Sequence, residues 1–171
     1  MVKRTIRWTV GAALVIVAAI ALRWVLQDRD AARIRRQFDR LVADTEKRGR
    51  ESLLDASTRA RSIAAAFIDT PRLALPPVAD GERSRAELVG IVFQTRALLD
   101  SLAVRIHSRQ LEFSPDRRRA VLHVTAEISG IGGGYIERGL RSARIEWVRT
   151  DEGWRIAAAE AETPLRPLPP P

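Results

Sequence analysis

The sequence predicts an α+β protein, with an N-terminal transmembrane helix followed by helices packed on an antiparallel sheet. Three observations predict it. Residues 8–26 form one apolar run, residues 34–102 carry apolar side chains at helical spacing, and from residue 104 the spacing changes to two. The 171 residues leave room for one ordinary domain with a real core. With no cysteine in the chain, disulfides, thiol catalysis and cysteine-ligated metals are excluded.

The first element is "WTVGAALVIVAAIALRWVL", Trp8 to Leu26, in which Arg23 is the only charge. As a helix it spans roughly 28 Å, close to the hydrocarbon thickness of a bilayer. Trp8 and Trp24 fall near its ends, where indole rings favour the interface, and Arg23 can snorkel outward. A cleaved signal peptide is the competing reading, with Ala19 and Ala21 as small residues near a cleavage point. The apolar run continues through Trp24–Leu26, which suits a retained anchor better. Residues 1–7 form a basic head, and basic residues flank the span on both sides, so the positive-inside count does not orient it. A short basic head before a long domain is the form of a signal anchor. The expectation is therefore a bacterial inner-membrane protein with a periplasmic domain.

The net charge of +8 does not mark a nucleic-acid binder. Residues 1–26 hold four basic residues and no acid; residues 27–171 hold the other 25 basic residues against 21 acids. The latter arginines alternate with acids, as in "DRDAARIRRQFDR", where a DNA or RNA surface would show a concentrated stripe.

Within the domain, expected over residues 27–162, Ile34, Phe38, Leu41, Val42 and Thr45 recur at helical spacing. Beyond a break at Gly49 a second segment presents Leu53, Ala56, Ala60, Ile63, Ala64 and Phe67, so the two form either a pair of helices or one bent helix. Asp69-Thr70-Pro71 ends it, because proline disfavours helix at the preceding residue. "RLALPPV" reads as a short extended piece suited to a sheet edge. Ser84 and Glu87 form a capping box that opens a third helix, with Leu88, Ile91, Val92, Thr95, Leu98, Leu99 and Leu102 on one face.

Val104–Phe113 reads as a strand with a bulge near Ser108–Gln110, and "SPDR" is turn chemistry. Ala120, Leu122, Val124, Ala126 and Ile128 alternate as in a half-buried strand. "GIGGG" reads as a bulged crossover, since a phosphate loop would run from a strand into a helix. Ala143, Ile145 and Trp147 share one face of a strand over Leu140–Arg149. "TDEG" turns it onto Trp154–Glu162, where Trp154, Ile156 and Ala158 share a face. Residues 163–171, "TPLRPLPPP", read as a disordered proline-rich tail.

Two leading helices, a short extended piece, a capped helix and long strands ending in "EWVRTDEGWRIAAAE" resemble the NTF2-like superfamily over about residues 30–162. That resemblance implies a cone of curved sheet wrapped on helices. The membrane-anchored members, VirB8-like components of secretion systems among them, are similar in layout.

Enzymes of that superfamily place an Asp, His or Tyr in the apolar cone. In this sequence His107, His123 and Tyr135 are the residues that could serve. His123 alternates with Leu122 and Val124 and points away from the apolar set; His107 lies between arginines; Tyr135 follows Gly132–Gly134. Two histidines without acids at ligand spacing make no metal site, and Asp69, Asp100 and Glu127 form no hydrolytic pair. No catalytic residue, metal or cofactor is assigned. Trp147 and Trp154 build the inner face of the last hairpin with Ile145 and Ile156, as core or as pocket wall, and Tyr135 joins them as a candidate cavity-lining residue.

The expected function is a membrane-anchored, non-catalytic interaction or assembly module. Its expected partners are other membrane or periplasmic proteins or a second copy of the chain. The alternatives are a carrier or sensor of a small apolar ligand in the cone, and a weak isomerase or dehydratase using His107 or Tyr135.

Overall fold

A computed structural model describes residues 29–76, 78–132 and 135–162, the last of these with the side chains of residues 135–137 excepted. The expected head, anchor and tail therefore lie outside the described residues, with Trp8, Arg23 and Trp24. Among the described residues no helix is long and apolar enough to cross a membrane. The chain divides into two compact units, Met1–Arg36 and Gln37–Pro171.

Helix α1 runs through residues 29–45, with Ile34 and Phe38 buried as their spacing predicts. A two-residue strand, β1 (Lys47–Arg48), follows, and Gly49 at φ +76° turns the chain toward the next helix. Helix α2 (Leu53–Ala65) starts at Ser52, whose hydroxyl accepts the Asp55 amide, and buries Ala56, Ala60, Ile63 and Ala64. Helix α3 (Arg85–Leu98) starts at the Ser84–Glu87 capping box, with both reciprocal bonds formed.

Six further strands are β2 (Phe67–Leu75), β3 (Ala79–Glu82), β4 (Ser101–Phe113), β5 (Arg119–Gly132), β6 (Tyr135–Thr150) and β7 (Gly153–Glu162). They form one sheet with the order β1-β4-β5-β6-β7-β2-β3. The register puts Ala120, Leu122, Val124 and Ala126 of β5 on the same face as Ile145 and Trp147 of β6 and Trp154 and Ile156 of β7. All eight are buried. The second half of α1 covers this inner face, where the Gln37 amide donates to the Trp154 carbonyl at 3.1 Å and Arg109 pairs with Asp39 at 2.7 Å. Phe113 meets Trp154 edge-on, with ring centroids 5.8 Å apart. Burial of each large side chain here contributes about 1.5–3 kcal/mol.

Several sequence expectations are corrected. Phe67 belongs to β2 and not to the preceding helix, which ends at Ala65. β2 is not an edge strand: it lies between β7 and β3, and it pairs with β7 in parallel, so the sheet is mixed. Pro71 is tolerated in this interior strand because it falls in the register shift between Phe67 and Arg72, where pairing with β7 is interrupted. Leu53 and Leu98 are about three-quarters exposed, and Ile128 is exposed, although all three sit in phase with buried neighbours. Leu99 is the C-cap of α3 and Leu102 already belongs to β4, so neither continues the helical face.

The glycine-rich stretch is not a crossover. β5 and β6 pair antiparallel up to Gly132 and Tyr135, which makes them neighbouring arms of one hairpin. A Cβ on Gly132 would lie 2.5 Å from the Leu98 carbonyl oxygen and 3.0 Å from the Leu99 Cα, so glycine is required by close backbone approach. The expected bulge in β4 is present, with the register shifting between Ile106 and Ser108 and His107 as the extra residue.

The polar centre of the helical layer is Arg96, only 4% exposed. Its guanidinium donates to both carboxylate oxygens of Glu51, at 3.1 and 3.0 Å, and to the carbonyls of Asp44, Thr45 and Glu46. Arg96→Ala should lower stability by about 3 kcal/mol in urea unfolding, because it leaves Glu51 and three carbonyls short of donors. A loss within the error of the measurement would show that the cluster is dispensable. Gly132→Ala should cost about 1–3 kcal/mol, since the conflicting atoms are backbone; an unchanged midpoint would contradict the close approach.

Candidate functional site

The chemistry-bearing side chains of the sheet gather on the face opposite the buried one. Alternation along β5 sends His123, Thr125 and Glu127 outward, and register places Arg144, Ser142 and Leu140 of β6 beside them in that order. On β7, Glu160 stands beside Arg144 and Glu162 beside Ser142. The result is a ladder of paired groups. Arg144 contacts Glu146 at 2.5 Å and Glu160 at 3.8 Å; His123 Nδ1 lies 3.1 Å from Glu162; Thr125 and Ser142 share a hydroxyl hydrogen bond of 3.2 Å.

At the other end of β5, Glu127 receives two partners. Arg138 Nε donates to one carboxylate oxygen, and His107 Nε2 lies 3.3 Å from the other. The Arg138 bond, and after it the His107 bond, hold the Glu127 carboxyl below the ordinary glutamate value. Arg105 pairs with Glu127, and alternation along β4 places His107 on the same side of the sheet, just where the bulge begins. A concavity of about 210 Å³, lined by Arg105, Glu127, Ser129 and Arg138, lies at this cluster.

The residues singled out in the sequence separate cleanly. Trp147 and Ile156 are about 0% and 1% exposed, and Trp154 and Ile145 are also buried, all on the inner face. Tyr135 opens β6 opposite Gly132, and its side chain lies outside the described residues. His107 is exposed and His123 half-buried, both held by glutamates of the outer face. Among the described residues no group of three or more His, Asp or Glu is placed to hold a metal ion.

Sequence reasoning missed a polar concavity of about 520 Å³ beside α1 and α2, lined by Asp44, Lys47, Arg50, Glu51, Arg59 and Arg96 among others. One signal was available. Arg96 continues the i, i+4 series of Leu88 and Val92, which places a charge on the buried face of α3. Its partner Glu51 lies 45 residues away, and no local pattern joins the two.

No family model matches the sequence, and no curated protein matches it. Solved structures do match. An NTF2-like protein with a cystatin-like fold from Novosphingobium aromaticivorans superposes with a TM-score of 0.63 at 18% identity, covering 83% of this chain and 86% of its own.

The fold is that of the NTF2-like proteins.

A candidate dehydratase of the NTF2-like family from Streptomyces avermitilis superposes with a TM-score of 0.64 at 12% identity, covering 81% of this chain and 99% of its own. A candidate calcium/calmodulin-dependent protein kinase II association domain from Xanthomonas campestris gives 0.58 at 16%, covering 80% and 90%. The NTF2-like fold thus carries enzymes and association domains by name, and it does not by itself assign either role.

The Glu127 cluster gives a pH test. A carboxyl with a depressed folded-state pKa contributes stability that is fully present above its unfolded value, near 4.5, and lost as pH falls through the folded value. Carboxyl-detected NMR should find Glu127 titrating below the ordinary range, and Arg138→Gln should move it back upward. An unchanged Glu127 titration in that variant would remove Arg138 as the cause.

Proposed function

We propose that this chain is a membrane-anchored, non-catalytic interaction or assembly module, tethered by residues 8–26 with its NTF2-like domain on the periplasmic side. In that layout it resembles the anchored, VirB8-like members of the superfamily. The observation that carries the reading is the division of the sheet between its two faces. The inner face is filled by Trp147, Trp154, Ile145 and Ile156, whereas the histidines and their glutamate and arginine partners stand on the outer face. An acid or base gains catalytic strength from desolvation, which the inner face would supply and the outer face does not. Arginine, which Arg138 and Arg144 supply on this face, is instead a residue enriched at protein interfaces. The association domain from Xanthomonas campestris is, by its name, a precedent for that use of the fold. The partner is another membrane or periplasmic protein, or a second copy of this chain.

A carrier reading has one observation in its favour. The indole Nε1 of the fully buried Trp147 and the Oε1 of Gln37 are both buried without a hydrogen-bond partner among the described residues. A small apolar ligand with one polar group would answer either atom. The candidate dehydratases that share the fold keep an isomerase or dehydratase as the third reading.

A photo-crosslinking residue in place of Thr125, in the full-length chain in cells, should trap a discrete membrane-fraction partner or a dimer. Arg144→Glu, which leaves Glu146 and Glu160 facing a like charge, should reduce the yield roughly tenfold. Equal diffuse labelling with and without that substitution would sink the outer face as the partner surface. Native mass spectrometry of the detergent-solubilised chain separates the carrier reading, which requires a reproducible small-molecule adduct.

A further inference from the structure

The two edges of the sheet differ. At one edge β3 is four residues long and carries Asp80 and Glu82. At the other, β1 pairs only Lys47 with Leu102 and Arg48 with Ser101, whereas β4 runs on to Phe113. Ala103–Phe113 therefore has β5 on one side and, among the described residues, no strand on the other. Every second residue of such a stretch turns its N–H and C=O groups away from its neighbour, where only water or a further strand can meet them. Among the described residues no backbone–backbone hydrogen bond joins Ala103–Phe113 to a helix or loop. Ser108, Arg109, Gln110 and Glu112 are exposed, as an uncovered edge requires.

The bulge divides this edge. It twists the strand locally and so protects Ala103–Ile106 from a flat partner. Beyond it, Ser108–Phe113 pairs with β5 without a break and offers a regular template. The sequence of that segment, "SRQLEF", complements itself in one antiparallel register. Two copies related by a two-fold axis set residues of the same face opposite each other, so the axis passes through a residue. An axis at Arg109 or Glu112 would put like charges face to face, which destabilises a pair of strands. An axis at Ser108 or Gln110 brings the bulge into the ladder, and one at Phe113 brings in Pro115, which has no N–H. An axis at Leu111 avoids all of these. It sets leucine against leucine and Arg109 against Phe113 on the inner side, and Gln110 against Glu112 on the outer side. The Gln110 amide already donates to Glu112 within the strand at 2.8 Å, and the axis lets the same two groups meet between copies. Arg109 arrives neutralised by Asp39 at 2.7 Å.

We propose that two copies of this chain pair through β4, antiparallel about Leu111, so that two seven-stranded sheets join into one. The open edge is thus occupied by the same edge of a second copy. Main-chain hydrogen bonds supply the attraction, as wherever a strand is added to a sheet, and the side-chain row fixes the register. Each contact off the axis is made twice, once from either copy, which lets a short row carry the interface. The inference goes beyond the outer-face reading. It uses the edge of the sheet, leaves Thr125 and Arg144 free, and holds whatever the outer face binds.

The chain has no cysteine, so Leu111→Cys places a single thiol of each copy on the proposed axis. Opposed Cβ atoms of an antiparallel pair lie about 4.5–5.5 Å apart, a small shift from disulfide distance. Oxidation of the full-length variant should give a covalent dimer, and Thr125→Cys, on the outer face, about fivefold less. Adding Gln110→Glu to Leu111→Cys sets a carboxylate opposite each Glu112 and should lower the yield about fivefold; Gln110→Lys should keep or raise it. A dimer from Thr125→Cys with none from Leu111→Cys puts the second copy on the outer face and overturns the edge pairing. No dimer from either thiol overturns it too, and leaves the outer face to another protein. A Leu111→Cys yield that is equal with both charges at position 110 overturns the register. Sedimentation of the cysteine-free chain keeps the test independent of the Leu111 change. There Gln110→Glu should weaken self-association about tenfold and Gln110→Lys strengthen it, and equal association of the two variants overturns the proposal.

Discussion

The domain is organised around one buried cation. Arg96 lies on the inward face of α3, and its side chain reaches the last carbonyls of α1 and the carboxylate of Glu51 just before α2. The end of a helix carries unpaired carbonyls and a partial negative charge, so a guanidinium is a fitting cap. The relation is reciprocal. Lys47, on the strand that follows α1, donates to the carbonyls of Arg96 and Leu99, which end α3. Each helix end is thus closed by a cation from the neighbourhood of the other. Transferring a charge out of water costs several kcal/mol, and the arrangement is viable because Arg96 has partners along the whole guanidinium.

That crossed capping determines what the sheet can do at its β1 edge. Lys47 is both a helix cap and one of the two residues of β1, so the edge next to β4 is held where α1 and α3 end. The approach is close enough that Gly132 has no space for a side chain. At the opposite edge, β3 is only four residues long, with Asp80 and Glu82 among them. Short strands and exposed charge are the usual protection of a sheet edge against unwanted pairing. Pairing of a further strand at the β3 edge is thereby disfavoured.

The two faces divide the chemistry by dielectric. On the inner face aromatic and branched side chains exclude water, and the indole of Trp147 is wholly enclosed. On the outer face each histidine is within reach of a glutamate, and Arg144 bridges two. Ion pairs at such partial exposure contribute modestly to stability, typically no more than about 1 kcal/mol each. Their consequence is a fixed pattern of charge for a partner to read.

By itself the sequence determined whatever repeats locally. Periodicity located α1, α2 and the strands β4 to β7; Ser84 and Glu87 located the start of α3; the break of phase located the β4 bulge to within a residue or two. The inward placement of Trp147, Trp154, Ile145 and Ile156 was legible for the same reason, since alternation is a local property of an extended chain. Tertiary structure alone decided the rest. The parallel pairing of β2 with β7 joins segments more than 80 residues apart, and no local rule chooses a strand's neighbour. Leu53 and Leu98 match the helical period yet remain exposed, each at the end of its helix. Arg96 shares that period and is buried, because Glu51 and the end of α1 come to it from distant positions in the chain. A period records which side of an element faces inward; the partner waiting there is set by contacts between elements.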